Sequence, residues 1–219
     1  MRIRPAGTHA LLLDCTLPAD IPEAALVEAW RAELWRRREQ GDLSAVEIVP
    51  AARTVLLDGL PDPAATADLL SHWAPAVTAA AARATAAADG GGHDGEVVVP
   101  VEFDGPDLPL VAEHWGVDVP AVLRRLTGTR FRVAFCGFAP GFPYLTGLPA
   151  DLALPRLRTP RSRVPAGSVA LAGPYAGIYP SASPGGWLLV GRTDLPLFDV
   201  DGDPPARLGP GARARMVAT

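Results

Sequence analysis

Apolar positions recur at helical and strand periods through the first part of this chain. Ala10 to Asp14 is a short apolar run that predicts a first strand. Leu26, Val27, Trp30 and Leu34 follow at three- and four-residue spacing, which places them on one helix face, and Gly41 ends the run. Asp20-Ile21-Pro22-Glu23 has the form of a capping box at the start of that helix. A helix of about 18 residues is expected, with Trp30 facing the core. Arg36, Arg37 and Arg38 at its end suit the macrodipole. Ala45 to Val49 and Thr54 to Leu57 read as a hairpin. Asp62-Pro63 opens a second helix with Leu69, Leu70, Trp73 and Val77 on its apolar face. Pro75 is expected to kink or split it, because proline lacks an N–H and clashes with the carbonyl four residues back. Ala79 to Ala88 continues it by propensity. The order β-α-β-β-α, with room for one more strand, makes a small α+β layer without a chemical motif.

Asp89 to Gly95, DGGGHDG, is the clearest linker. It separates an N-terminal domain over 1–88 from a second domain over 96–219. Glu96 to Phe103 begins that domain as a strand. Pro106-Asp107 starts a helix with Leu110, Val111 and His114 on adjoining turns, and Val119-Pro120 starts another through Leu123 and Leu126 to Gly128. His114 is read as a buried or interface histidine. Arg130 to Cys136 alternates as a strand. From Phe135 to Thr193 the pattern changes: nine glycines and nine prolines exclude long helices and leave short strands joined by fixed turns. Trp187 to Val190 is a strand, Thr193 to Val200 leads to a second strand or edge, and a final strand lies around Ala214 to Val217. Many short strands with regular Gly/Pro punctuation suggest a closed or nearly closed β-barrel.

Composition narrows the function classes. With 219 residues, 48% hydrophobic and 20% charged, the chain can bury a core. A net charge of −4 argues against a nucleic-acid footprint. No apolar run reaches the roughly 20 residues of a membrane span, and no signal-peptide pattern opens the chain, so a cytoplasmic protein is expected. Cys15 and Cys136 are read as free thiols. All 20 basic residues are arginine. The chain therefore carries no phosphate-loop, Schiff-base or biotin-bearing lysine.

Candidate chemistry gathers in the Gly/Pro-rich stretch. Phe135, Phe138, Phe142, Tyr144, Tyr175, Tyr179 and Trp187 sit beside its turns, and Arg156, Arg158, Arg161, Arg163 and Arg192 sit among them. Apolar walls with a few cations suit a small anionic ligand or a tightly built protein interface. Arg156 and Arg158 are two apart, as are Arg161 and Arg163, so in extended chain each pair points one way. A guanidinium grips a carboxylate with two parallel hydrogen bonds, which makes Arg161, Arg163 and Arg192 candidates for a substrate carboxylate or for bracing loops and partners. The turns holding Gly137, Phe138, Pro140 and Gly141, and Ser183, Gly185 and Gly186, can expose N–H groups to an oxyanion. Ser168 and Ser183 are candidate hydrogen-bond donors, outside any G-x-S-x-G elbow. Cys136, on an alternating strand, reads as an inert core residue before a nucleophile. His9, His72, His93 and His114 form no metal-spaced cluster.

The same stretch carries a resemblance. Gly137-Phe138-Ala139-Pro140-Gly141-Phe142-Pro143-Tyr144-Leu145 resembles the GF[SA]PGFxYL signature of the 5-oxoprolinase B-subunit family, also called allophanate hydrolase subunit 1 or the KipI-type kinase-inhibitor family. Thr159 to Val169 resembles its TPRxxVPAGSV block. Gly177-Ile178-Tyr179-Pro180, Ser183-Pro184-Gly185-Gly186-Trp187 and Gly191-Arg192-Thr193 resemble its GIYP, SPGGW and GRT blocks. The similarity is dense from about Val97 to Val217 and thin before it. One departure is Leu126, where the family usually has a His before Ser/Thr-Gly. The resemblance implies an α+β protein whose second domain is a cyclophilin-like β-barrel. It implies the B subunit of an ATP-dependent 5-oxoprolinase complex that opens 5-oxo-L-proline to L-glutamate, inactive alone. Its partners would be the larger, carboxyltransferase-related C-type subunit of 5-oxoprolinase, with the A-type protein as a third subunit. ATP would act at the level of the complex, with no covalent biotin on this chain. The alternatives are a regulatory protein of the histidine-kinase-inhibitor type and a subunit of a urea carboxylase or allophanate hydrolase type of enzyme.

Overall fold

Amphipathic strands and helices close around separate apolar cores. The computed structural model describes residues 1–87 and 95–219. Two units result, Met1–Gly92 and His93–Thr219. The segment read as a linker, 89–95, lies outside the described residues except for Gly95.

The first unit has β1 (Arg2–Pro5), β2 (Leu11–Asp14), α1 (Glu23–Glu39), β3 (Glu47–Pro50), β4 (Thr54–Asp58) and α2 (Pro63–Ala87). Its four strands form an antiparallel sheet in the order β1-β2-β4-β3. Alternation puts Leu11, Leu13, Val55 and Leu57 on one face, where they pack with Trp30 and Leu34 of α1 and Leu70, Trp73 and Val77 of α2. β1 is the additional strand the pattern left room for. Three expectations are corrected. Asp20 does not cap α1: Pro22 is the N-cap, with φ −56° and ψ 131°, and no side chain bonds to the first turn. The residue before a proline is driven out of the helical region, so the helix cannot start at Ile21. Pro75 does not split α2, which runs unbroken through it. The buried stripe of Leu70, Trp73, Val77 and Ala81 holds both halves in place. Leu69, expected on that stripe, is exposed.

The second unit opens with β5 (Glu96–Val101), α3 (Leu108–Trp115), α4 (Val119–Gly128), β6 (Arg130–Cys136) and β7 (Pro143–Thr146). It continues with β8 (Arg161–Val164), β9 (Ser168–Ala172), β10 (Tyr175–Ile178), β11 (Ser183–Gly185), β12 (Leu188–Arg192) and β13 (Arg213–Ala218). Seven strands form one sheet in the order β12-β9-β10-β7-β6-β13-β5, and β11 pairs with β8 apart from it. All pairs are antiparallel except β13 with β5. The sheet's two edges meet. Glu102, just past β5, exchanges both backbone hydrogen bonds with Arg192 of β12, each 2.9 Å. The result is a nearly closed barrel in an α+β fold. Glycine makes the seam possible: a Cβ on Gly191 would sit 2.5 Å from the Glu102 carbonyl oxygen.

Inside the barrel, Val99, Val101, Phe131, Val133, Leu145, Val169, Leu171, Ile178, Leu188 and Val190 pack with the apolar faces of α3 and α4. Leu126, at the position where the resembling family usually has His, is fully buried there. Asp118 caps α4 by accepting the Ala121 N–H at 2.8 Å. His114, expected to be buried or at an interface, is exposed. Residues 193–200 form no strand. Their only ladder contact is an isolated bridge between Phe198 and Ala206. Pro196 has no N–H to offer a ladder, and Leu197 is instead anchored by burial.

Candidate functional site

All five residues of β9 are buried. A strand alternates its side chains, so burial of every residue requires cover on both faces. Val169 and Leu171 point into the barrel core, whereas Ala170 and Ala172 lie in a second cluster with Phe142, Val164, Tyr179, Trp187 and Leu189. The Gly/Pro-rich stretch folds back over the outside of its own strands and supplies that second layer. The small Ala170 and Ala172 leave room for large rings.

The rings form one network. Phe142 meets Tyr179 and Trp187 edge-on, with centroids 5.1 and 5.5 Å apart. Tyr144 contacts Phe142 at 5.1 Å and Trp187 at 5.5 Å, and stacks on Phe135 at 4.2 Å. Tyr175 packs edge-on against both Phe135 and Tyr144. Phe138 closes the rim, edge-on to Phe142 and Tyr179. Phe138 is 63% exposed and has φ +72°, a left-handed conformation that a bulky residue adopts only at a cost. Gly185 is required beside the ring of Tyr179, because a Cβ there would overlap its hydroxyl. Burial pushes the phenols of Tyr144 and Tyr179 up, and the nearby Arg156 guanidinium partly offsets it.

Polar groups approach the rings from two sides. Asp107, 7% exposed, accepts the Leu189 N–H at 2.6 Å through one carboxylate oxygen and Arg161 at 2.8 Å through the other. Arg161 also donates to the Trp187 carbonyl at 3.4 Å. The Arg156 guanidinium carbon lies 6.0 Å from the Trp187 ring centroid. Ser183 Oγ is buried and, among the described residues, has no hydrogen-bond partner.

The candidates named from sequence divide accordingly. Phe138, Phe142, Tyr144, Tyr179 and Trp187 converge, with Gly185 of β11 against the Tyr179 hydroxyl and Ser183 of β11 opposite Val164. Gly137, Pro140 and Gly141 build the turn that presents Phe138. In that turn the N–H groups of Gly137, Ala139 and Phe142 bond to carbonyls of the turn itself, so only part of it faces outward. Gly186 accepts the Leu157 N–H at 2.7 Å. Ser168 sits at the seam end of β9, opposite Arg192. Arg161 and Arg163 do not act as a matched pair. The register of β8 against β11 shifts between them; Arg161 turns to Asp107, and Arg163 is exposed. Arg192 pairs with Glu102 and Asp104 at the seam. It lines a 470 Å³ groove with Pro100, Glu102 and residues 193–196, which contains none of the rings. Sequence reading missed Asp107 as a site residue. Its signal was an acidic residue next to Pro106 at a helix start, where it is the N-cap: its backbone carbonyl accepts the Val111 N–H, and its side chain makes no capping bond.

The cysteines are inert by the same physics. Burial raises the Cys136 thiol to about 11, and its S–H points to the Leu208 carbonyl at 3.2 Å. Burial raises Cys15 to about 12. Among the described residues, no group of three or more His, Cys, Asp or Glu side chains gathers as a metal site, and no helix is long and apolar enough to cross a membrane.

Comparison with known proteins adds to this geometry. The family described as "Carboxyltransferase domain, subdomain C and D" matches residues 1–208. The chain is 47% identical over 124 residues to the B subunit of 5-oxoprolinase from Escherichia coli O157:H7, a match covering 55% of this chain and 57% of that protein. It is 41% identical over 124 residues to the corresponding B subunit from Bacillus subtilis strain 168, covering 55% and 52%. These matches thus span little more than half the length of the curated relatives. Among solved structures, TTHA0988 superposes with a TM-score of 0.74 at 30% identity, covering 100% of this chain and 40% of that one.

Proposed function

The chain belongs to the carboxyltransferase domain, subdomain C and D, family, and from that premise we propose that it is the B subunit of an ATP-dependent complex that hydrolyses 5-oxo-L-proline to L-glutamate. The observation that carries this reading is the 47% identity to the B subunit of a 5-oxoprolinase. The local chemistry is compatible with it. A lactam is a weak electrophile, so its opening needs activation of the ring oxygen and a site that holds the ring and its carboxylate in fixed orientation. Phe142, Tyr179 and Trp187 are buried against one another, and Phe138 and Tyr144 are members of the ring network that reach the surface and can meet a substrate or partner. ATP supplies the driving force in the complex. This chain has no lysine for a phosphate loop or for biotin. Its part is therefore to bind and orient the organic substrate, together with the larger carboxyltransferase-related protein and the third subunit.

The test is reconstitution. The chain, alone and with the two other subunits, is assayed for glutamate and ADP released from 5-oxo-L-proline. Turnover that needs all three proteins supports the proposal. A stable complex without turnover on 5-oxo-L-proline overturns it. A regulatory reading, in which the same face docks a kinase, is favoured by one observation, the large exposure of Phe138 at the rim. Kinase inhibition by the chain that is lost in a Phe138→Ala variant, with no turnover on reconstitution, would select it.

A further inference from the structure

Among the described residues of the second unit, the exposed large apolar side chains are Val98, Phe138, Phe198 and Val200. The last three share one place. Phe138 stands on the turn that ends at Gly141. A Cβ on Gly141 would lie 2.6 Å from the Phe198 Cβ and 3.2 Å from the Leu197 carbonyl oxygen. Glycine there lets the segment 197–207 lie directly on the turn. Val200 follows two residues after Phe198. Phe138 is 63% exposed, Phe198 40% and Val200 77%. Together they make an apolar ridge, and soluble proteins keep such exposed clusters mainly where another surface covers them.

The ridge is held in place. Leu197 and Leu208 are anchored in the barrel core. Between them the Arg207 N–H donates to the Leu197 carbonyl at 3.0 Å, Asp199 to Pro205 at 2.9 Å and Gly202 to Asp199 at 3.1 Å. The Asp201 N–H closes on Asp199 Oδ1 at 3.1 Å. Phe198 and Val200 thus project from a fixed hairpin. Phe138 projects from a left-handed backbone with φ +72°. Backbone strain and an uncovered ring coincide at this residue, and strain of this kind concentrates at functional surfaces. The charge beside the ridge has one sign. From Thr193 to Pro210 the acids are Asp194, Asp199, Asp201 and Asp203, against Arg207 alone. Asp199, Asp201 and Asp203 are exposed, and among the described residues none of them has an ion pair. The exposed Arg156, Arg158 and Arg163 belong to the segment against Trp187 and β11, not to this hairpin. An occupant must therefore bring an apolar pocket for the ridge and basic side chains for the hairpin. TTHA0988 shows what kind of body accompanies this fold: the chain covers 40% of that one, so more than half of TTHA0988 is further chain joined to it.

We propose that Phe138, Phe198 and Val200, with Asp199, Asp201 and Asp203 beside them, form the docking face for a larger protein whose surface carries an apolar pocket bordered by basic side chains. The ring of Phe138 is the anchor, since exposed aromatic rings gain most from burial at the centre of an interface. The aspartates steer the approach. The identification of the partner as the larger carboxyltransferase-related subunit rests on the function proposed above.

The experiment measures association and dissociation of the full chain with the purified larger carboxyltransferase-related subunit at low and high salt, with sedimentation of the chain alone beside it. The variants are Val200→Arg, Phe198→Ser, the triple change Asp199→Asn with Asp201→Asn and Asp203→Asn, and Val46→Ser. Val200→Arg leaves the hairpin's backbone bonds in place and should weaken binding about tenfold or more, because it sets a like charge against a basic rim. Phe198→Ser should weaken it in the same direction. Val46, 70% exposed in the first unit, is the control, and Val46→Ser should bind as wild type. The triple change should slow association about tenfold or more at low salt, remove most of its salt dependence and leave dissociation nearly unchanged, a pattern that merely structural aspartates would not give. Binding indifferent to Val200→Arg and Phe198→Ser overturns the docking face; if the reconstituted complex still releases glutamate, the proposed function survives. A complex that depends on the ridge and releases no glutamate from 5-oxo-L-proline keeps the face and removes the function. Self-association of the chain that Val200→Arg abolishes gives the ridge to a second copy and overturns the proposal, as does the absence of any complex.

Discussion

Strand β4 in the first unit and strand β9 in the second are each five residues long and lie inside their sheets. β4 buries Val55 and Leu57 and leaves its alternate residues partly open, so one face is sealed. β9 buries every residue. The difference lies in what covers the second face. In the first unit, helices cover one side of the sheet. In the second, a Gly/Pro-rich stretch with no long helix folds over the outside of the barrel and brings a network of rings and several polar groups with it. A second covering layer made of turns seals the strand's other face and carries the exposed Phe138 at its rim. The site exists because the barrel is covered twice.

The comparison breaks most visibly at Phe142. Phe142→Ala should cost roughly 3–5 kcal/mol of stability in urea unfolding, as full loss of a buried ring does. Val49→Ala, on the exposed side of the first unit's sheet, should change it by no more than about 0.5 kcal/mol. Equal effects would mean that the outer ring layer is ornament and not core. The seam comes next. Gly191→Ala drives a methyl group toward the Glu102 carbonyl and should cost about 1–3 kcal/mol. Its expected signature is faster hydrogen exchange at the Glu102 and Arg192 amides, while β1 to β4 keep their protection.

Arg161→Ala leaves the Asp107 carboxylate with only the Leu189 N–H. We expect a loss of about 1–3 kcal/mol in thermal or urea unfolding. Arg192→Ala removes a more exposed pair and should cost less than Arg161→Ala, an effect that vanishes in high salt. A larger loss from Arg192 than from Arg161 would reverse the ranking of the two sites. The smallest effect concerns the thiols. Cys136 and Cys15 are raised to about 11 and about 12, against an ordinary value of 9.0 for each. The native state therefore holds these protons more tightly than the unfolded state. Their contribution to stability is complete below about pH 9 and falls as pH rises toward 11 and 12. At about pH 8 neither thiol should react with a disulfide reagent until the protein is unfolded. Rapid native labelling of Cys136 would show that its strand is open.

Much of the architecture was legible because it is local. α4 from Val119 to Gly128 and β6 from Arg130 to Cys136 fall where helix-start chemistry and alternation place them. The turn-rich stretch announces itself by composition, and its rings do converge. What was illegible depends on long separations. Asp107 reaches Leu189 across 82 positions and Arg161 across 54, and no spacing rule encodes such a contact. Five arginines stand among the turns, and nothing in their spacing tells which ones have internal partners. Arg156 and Arg161 look alike until the fold gives Asp107 to one of them. The helix is not split at Pro75 for the opposite reason: it continues through the proline with Trp73 and Val77 packed in the core.

The position of β13 has a consequence for biosynthesis. It lies between β6 and β5 and pairs in parallel with the strand that opens the second unit. A ribosome delivers β5, ending at Val101, long before its neighbour, which starts at Arg213. Until Arg213 to Ala218 emerges, β5 and β6 both present bare edges to their surroundings, and no earlier strand can cover them in its place. Pairings between such distant segments form slowly. The nascent barrel is thus an open sheet for most of its synthesis, and its final six-residue strand is the step that makes it safe from sticking to other chains.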